Sequence, residues 1–142
     1  MKKQVKRILL GIVLLLCCNT VVNAKIVDDN WEDVMTAISY VESRHNPKAV
    51  SKCGRWVGCL QISKGMVTAC NNIVGYKKYT FNDRYSKEKS FEMFCVFQKK
   101  YNPTGDIEKG IRMWNGGVRY KVSSTDKYFK KVYKKYLEIK ES

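Results

Sequence analysis

The sequence predicts one mainly helical domain behind a short export segment. Apolar residues recur at helical spacing in five stretches of the chain, and proline or glycine residues end most of these stretches. No repeat or low-complexity linker divides the 142 residues. The length remaining after the export segment suits a single hydrophobic core.

Residues 1–24 have the features of a secretory signal peptide. The basic start MKKQVKR precedes the apolar run ILLGIVLLLCC, and Ala24 is a small residue suited to cleavage. The run is short for a transmembrane span. Lipidation at Cys17 or Cys18 is the minor alternative, because Leu16 stands where a small residue is expected. We therefore expect an exported protein, periplasmic or secreted, whose mature domain covers residues 25–142.

The charge of the mature domain is strongly basic. The export segment holds four of the 27 Lys and Arg residues and no acid, which leaves 23 basic and 13 acidic side chains, a net charge of +10. Such a surface attracts polyanions, and export favours anionic wall polymers or lipids over nucleic acid. The alternative is that the lysines only keep a small secreted protein soluble.

Four cysteines remain after removal of the export segment: Cys53, Cys59, Cys70 and Cys95. In an oxidising compartment they are disulfide candidates, with three pairings open. A zinc site is the alternative, but no pair has the CxxC spacing and His45 is the single histidine. We expect at least one disulfide, no metal and no cofactor.

The first helix is expected from Asn30, as its N-cap, to about residues 44–46, where Pro47 ends it. Glu42 lies on the apolar face of this helix. It shares a narrow sector of the helical wheel with Trp31, Met35 and Ile38.

Glu42 is the candidate catalytic acid. Apolar surroundings and the partly negative C-terminal end of the helix both raise the pKa of its carboxyl group. A glutamic acid that keeps its proton near neutral pH suits acid-catalysed cleavage. The alternative is a rim glutamate whose carboxylate reaches water past the last turn.

Residues 46–62 are expected to form a pinned, β-like turn region. Gly54 and Gly58 allow tight backbone turns there. Gln61 stands between two apolar residues, so its amide is either satisfied by the backbone or directed into a cleft.

The rest of the chain predicts four more helices joined by short connections. Residues 76–86 are expected to be a polar, aromatic connector, and Trp114-Asn115-Gly116-Gly117 a glycine turn. Lysines cover most of the last helix, while aromatics on the second of the four are expected in the core. The helices are expected at residues 64–74, 87–101, 106–113 and about 125–139.

Several motifs, in order over nearly the whole mature chain, resemble those of the soluble-type (SLT) lytic transglycosylases, a lysozyme-like family. The departures from that pattern, Trp114 for a usual tyrosine and the cysteines Cys53 and Cys59, bear on substrate contacts more than on the reaction. The matching motifs are Glu42-Ser43, Asn46-Pro47-Lys48-Ala49, Ser51 to Gln61-Ile62 with Gly54 and Gly58, Trp114-Asn115-Gly116-Gly117, and Thr125 to Val132 with Tyr128.

The resemblance implies a single lysozyme-like domain that binds peptidoglycan glycan strands, acting as a monomer. It implies cleavage of the β-1,4 bond between N-acetylmuramic acid and N-acetylglucosamine, with formation of 1,6-anhydro ends. Glu42 would act first as acid and then as base. The residues that would bind substrate or orient the glutamate are Ser43, Gln61, Trp114, Asn115 and Tyr128.

The other acidic residues of the mature chain lie in polar surroundings. Hydrolases with two placed carboxyl groups are the common case, and substrate-assisted enzymes are among the exceptions. A mechanism with one carboxylate, helped by the acetamido group of the substrate, is therefore consistent. Asp83 is the best candidate for a second acid. The competing functions are a hydrolytic lysozyme of the same fold and a non-catalytic, basic wall-binding protein.

Overall fold

A computed structural model describes residues 29–142 of this chain. The predicted export segment at residues 1–24, with the lipidation candidates Cys17 and Cys18, lies outside the described residues. The described part is mainly helical, which confirms the predicted fold class at that level. Its helices in chain order are α1 (Asp29–Ser43), α2 (Lys64–Val74), a 3₁₀ helix (Phe81–Tyr85), α3 (Lys87–Tyr101), α4 (Ile107–Gly116) and α5 (Val122–Lys140).

Helix α1 is the centre of the core. It packs mainly on α5, with further contacts to α3 and α4. Trp31 meets Phe94 of α3 edge to face, with ring centroids 5.5 Å apart. Gly110 lets α4 approach, because a Cβ atom at this position would lie 2.6 Å from the Trp31 ring. The fully buried side chains of α1 are Val34, Met35, Ala37 and Ile38.

Both ends of α1 differ slightly from the prediction. The helix already includes Asp29, so the predicted N-cap Asn30 lies inside it; a shift of one or two residues is common at helix ends. The helix ends at Ser43, because Arg44 and His45 adopt positive φ angles of 56° and 65°. That conformation cannot continue a right-handed helix.

Two predicted helices are confirmed at both ends because their caps are local. In α2, the Ser63 hydroxyl accepts a hydrogen bond from the Met66 amide, and Gly75 ends the helix with a φ of 84°. In α3, the Ser86 hydroxyl accepts from the Lys89 amide. Serine caps and a terminal glycine are signals that a sequence displays directly.

One predicted connector contains a short helix, and two predicted boundaries are wrong. The connector at residues 76–86 contains the 3₁₀ helix, which a reciprocal capping pair of Thr80 and Asp83 begins. Helix α4 continues to Gly116, so the predicted glycine turn starts only at Gly117. Helix α5 begins at Val122, three residues before the predicted start.

The segment between α1 and α2 is held by backbone pairing. Val57 forms isolated antiparallel bridges with Val50 and with Ile62. These bridges confirm the small β-like region that the two glycines predicted. Across residues 29–142, no helix combines the length and apolar character that a membrane span requires.

Candidate active site

A cleft of about 260 Å³ opens where the end of α1, the β-like segment, the start of α2 and the end of α4 meet. Glu42 is the only acidic side chain among the described residues that line it. Aromatic and amide side chains make up much of the remaining wall, which suits a sugar ligand. The lining residues are Glu42, Trp56, Gln61, Ile62, Ser63, Met66, Trp114 and Asn115.

The carboxyl group of Glu42 is partly buried and hydrogen-bonded. The Tyr128 hydroxyl of α5 donates to Glu42 Oε1 at 2.8 Å. Burial raises the pKa of Glu42, while this hydrogen bond and the charge of Lys131 lower it; burial has the larger effect. The direction agrees with the sequence prediction. Glu42 therefore keeps its proton to higher pH than an exposed glutamic acid does.

Tyr128 serves as a neutral hydrogen-bond donor. Burial, the nearby charge of Glu42 and the hydrogen bond itself all raise the pKa of Tyr128 well above its usual range. Its hydroxyl therefore keeps the proton that it directs at the carboxylate. Tyr128 and Glu42 are 86 positions apart, and the packing of α5 on α1 brings them together.

Ser43 supports the site without lining the cleft. Its hydroxyl lies 2.9 Å from the Cys59 carbonyl and 3.1 Å from the Ser39 carbonyl. The first contact joins the end of α1 to the β-like segment. Because Glu42 directly precedes Ser43, this contact helps to hold the carboxyl group at its place in the cleft.

Gln61 satisfies both alternatives that its sequence context left open. Its side-chain Nε2 donates to the Gly58 carbonyl at 2.9 Å, and the residue also lines the cleft. Gly58 has a φ of 82°, and a Cβ atom there would lie 1.8 Å from the Arg84 carbonyl oxygen. Only glycine allows the backbone to come this close to the Arg84 carbonyl, so Gly58 positions the turn that carries Gln61.

Trp114 and Asn115 form another part of the cleft wall, from the last turn of α4. The Trp114 indole N–H donates to the Leu60 carbonyl at 3.3 Å, and its ring packs 4.9 Å from Phe94. These contacts fix the indole against the core and the β-like segment together. Asn115 beside it is exposed and free to meet a ligand.

Trp56 is the main cleft residue that the sequence interpretation missed. It is 43% exposed, and the Arg55 guanidinium lies 5.4 Å from its ring centroid. The sequence did contain a signal for this role, a tryptophan in a loop bounded by Gly54 and Gly58. Binding residues are often on loops, and a large aromatic side chain in a loop indicates a binding role.

No family model, curated protein or solved structure matches this chain. The chemistry of the cleft is therefore argued from its own residues. Of the predicted site residues, the fold brings four to the cleft wall and joins a fifth, Tyr128, to Glu42. Ser43 does not line the cleft and instead holds the end of α1 against the β-like segment. The four in the wall are Glu42, Gln61, Trp114 and Asn115.

Asp83, the candidate second acid, has a structural role. Its Oδ2 accepts hydrogen bonds from the Thr80 backbone amide at 2.6 Å and from the Thr80 hydroxyl at 3.0 Å. These contacts begin the 3₁₀ helix, and Asp83 is not among the cleft-lining residues.

The described residues form no disulfide. Cys53 is exposed on the β-like segment, whereas Cys59, Cys70 and Cys95 belong to the buried core. Burial raises the pKa of Cys70 to about 12, and its thiol donates to the Met93 carbonyl at 3.4 Å. The predicted disulfide stays a prediction for the exported protein.

Proposed function

We propose that this chain is a peptidoglycan lytic transglycosylase with a lysozyme-like fold, and that Glu42 is its acid and base. One observation carries the proposal. The single carboxyl group among the described cleft residues is partly buried, and burial raises its pKa. An acid that keeps its proton to higher pH, beside a sugar-sized cleft, suits the cleavage of a glycosidic bond.

In the first step, the Glu42 carboxyl group protonates the glycosidic oxygen that joins the muramic unit to the next sugar. The bond from that oxygen to C1 breaks, and positive charge develops at C1. Glu42 is left as a carboxylate. The Tyr128 hydroxyl, 2.8 Å from Oε1, and the positive charge of Lys131 favour that anion.

The substrate supplies the group that stabilises the positive charge at C1. Two-carboxylate glycosidases place a second acid for this purpose. The described cleft residues include no second acid, and Asp83 is engaged with Thr80. The acetamido oxygen of the muramic unit therefore takes this place in the proposed mechanism.

In the second step, the Glu42 carboxylate removes the proton from the 6-hydroxyl of the muramic unit. The freed oxygen bonds to C1, the acetamido oxygen leaves C1, and Glu42 regains its proton. The product is a 1,6-anhydro end, and no water is consumed.

Binding depends on the aromatic and amide groups of the cleft. The rings of Trp56 and Trp114 offer flat faces to sugar rings. The Gln61 and Asn115 amides offer hydrogen-bonding groups for N-acetyl and hydroxyl groups. The basic surface of the mature chain favours approach to an anionic wall.

The deciding experiment compares wild type, Glu42→Gln and Glu32→Gln on purified peptidoglycan. Glu32 is an exposed glutamate on the same helix, so its change to glutamine is the matched control. We expect wild type and Glu32→Gln to release fragments at similar rates. The rate of fragment release by Glu42→Gln should be lower by at least about a hundredfold, as for the loss of a general acid.

Mass spectrometry of the released fragments tests the reaction type. Anhydro ends are one water lighter than reducing ends, and we expect the lighter product. Reducing ends would instead identify a hydrolytic lysozyme. Equal cleavage by wild type and Glu42→Gln contradicts the role of Glu42. Binding of all three proteins without cleavage identifies a wall-binding protein that is not an enzyme.

A further inference from the structure

A second, larger groove lies on the other flank of α2. Its volume is about 490 Å³, against about 260 Å³ for the cleft. Thr68 and Asn71 of α2 line it, whereas Met66 of α2 lines the cleft. Met66 and Asn71 are five residues apart and so point about 140° apart around the helix. The groove is therefore a separate surface.

The wall of the groove is held in place by Asn71. Its side-chain amide donates to the Tyr79 carbonyl at 2.8 Å. Its oxygen accepts from the Lys78 amide at 3.0 Å and from the Tyr79 amide at 2.8 Å. These three bonds fasten the segment after α2 to the helix, so the groove is preformed, as small-molecule sites usually are.

A neighbouring depression of about 470 Å³ extends the groove. Both depressions are lined by Asn71 and Lys77, so they adjoin. Each carries one exposed aromatic ring: Phe81 is 46% exposed and Tyr76 is 63% exposed. We call the two depressions together the α2 groove. It offers two exposed aromatic rings and a lysine that lines both depressions.

The charge of the α2 groove is positive. Lys77 lines both depressions, and the ammonium of Lys64 lies 5.2 Å from the Phe81 ring centroid. No Asp or Glu is among the described residues that line either depression. The nearby Asp83 carboxylate is directed at Thr80. A ligand with negative charge is favoured over a neutral one.

We propose that the α2 groove binds an oligosaccharide whose sugar units carry carboxylate groups. One sugar ring would stack on Phe81 and another on Tyr76, with a carboxylate near Lys77. Hydroxyl and amide groups of Thr68 and Asn82 at the groove suit the polar edges of such rings. The choice of a wall glycan as ligand rests on the proposed function, but the groove is distinct from the cleft.

The test uses nuclear magnetic resonance, because it resolves the two sites in one titration. The probe is a tetrasaccharide of alternating N-acetylglucosamine and N-acetylmuramic acid, which carries lactyl carboxylates. The protein is the full mature chain with Glu42→Gln, so that cleavage does not consume the probe. The backbone amides of Asn72 and Lys77 report on the α2 groove, and that of Asn115 reports on the cleft.

We expect saturable shifts at the α2 groove amides. Phe81→Ala should weaken this binding about fivefold, since a ring contact contributes about a factor of this size. Tyr85→Ala is the matched control, because Tyr85 is 41% exposed and lines neither depression. The neutral tetramer of N-acetylglucosamine should bind about fivefold more weakly than the acidic probe. Lys77→Gln should remove this preference.

Three results would overturn the proposal. The first is shifts confined to the cleft amide, and the second is equal affinity of Phe81→Ala and Tyr85→Ala for the glycan. The third is a single-stranded oligonucleotide or a wall peptide that saturates the α2 groove amides at lower concentration than the glycan does. Unfolding midpoints of the variants are measured alongside, so that loss of fold is recognised. If neither wild type nor Glu42→Gln cleaves walls, the proposed function fails, yet the α2 groove titration still decides this inference, because the probe stays intact.

Discussion

Removal of the Tyr128 hydroxyl tests the electrostatics of the proposed acid most directly. In Tyr128→Phe, the ring stays and the 2.8 Å hydrogen bond to Glu42 Oε1 is lost. That bond favours the charged carboxylate and lowers the pKa of Glu42, so its removal raises the pKa further. The pKa of Glu42 was already raised by burial, and the two effects then act in the same direction.

The magnitude follows from the type of bond. A hydrogen bond to a charged group contributes about 1.5–3 kcal/mol, and the lower end applies here because Glu42 borders an open cleft where water can replace part of the loss. A difference of about 1.4 kcal/mol is a factor of ten in an equilibrium constant. The acid dissociation constant of Glu42 should therefore fall about tenfold.

The assay is the rate of fragment release from purified peptidoglycan as a function of pH. The acid must be protonated, so activity is lost as the pH rises through the pKa of Glu42. In Tyr128→Phe, this alkaline limb should move to higher pH. Tyr136→Phe removes a hydroxyl from the same helix, where the ring packs on Tyr133, and should leave the limb in place.

An alkaline limb that stays in place, or moves to lower pH, in Tyr128→Phe would refute this reasoning. An equal shift in Tyr136→Phe would show that the effect comes from α5 as a whole. Either result would separate Tyr128 from the ionisation of Glu42.

Four further predictions concern the scaffold, the cleft, the surface and the cysteines. Gly58→Ala should lower the free energy of unfolding by about 3 kcal/mol or more, because the added Cβ would lie 1.8 Å from a backbone oxygen. Gly54→Ala, with a φ of 70° and open space, should cost about 1–2 kcal/mol; equal costs in urea unfolding would contradict the packing argument. Trp56→Ala should raise KM about tenfold with a smaller change in kcat, and an unchanged KM would remove Trp56 from substrate binding. Retention of the mature protein on anionic walls should fall as salt rises, and Lys134→Glu should weaken it; binding independent of salt would reject the charge argument. Alkylation of the exported, non-reduced protein under denaturing conditions, which expose the buried thiols, should modify fewer than four cysteines; four modified thiols would reject the predicted disulfide.

Prediction from sequence was most accurate where the signal was local. The bounds of α2 and α3 follow from serine caps, from Gly75 and from the apolar spacing between them. The direction of the pKa shift at Glu42 follows from its place on the apolar face of α1. The pair Gly116-Gly117 predicts an earlier end for α4 than the structure has, because Gly116 still continues the helix.

The amino-acid sequence alone determined the helical class, the bounds of α2 and α3 and the choice of Glu42 as the candidate acid, because caps, spacing and burial of one helix face are properties of neighbouring residues. Only the tertiary structure decided that Tyr128 donates to Glu42, that Trp56 joins the cleft, and that Asp83 is engaged elsewhere. These contacts join residues from different elements or depend on where a loop lies. The packing of α5 and the β-like segment around α1 determines them, and no local pattern encodes that arrangement.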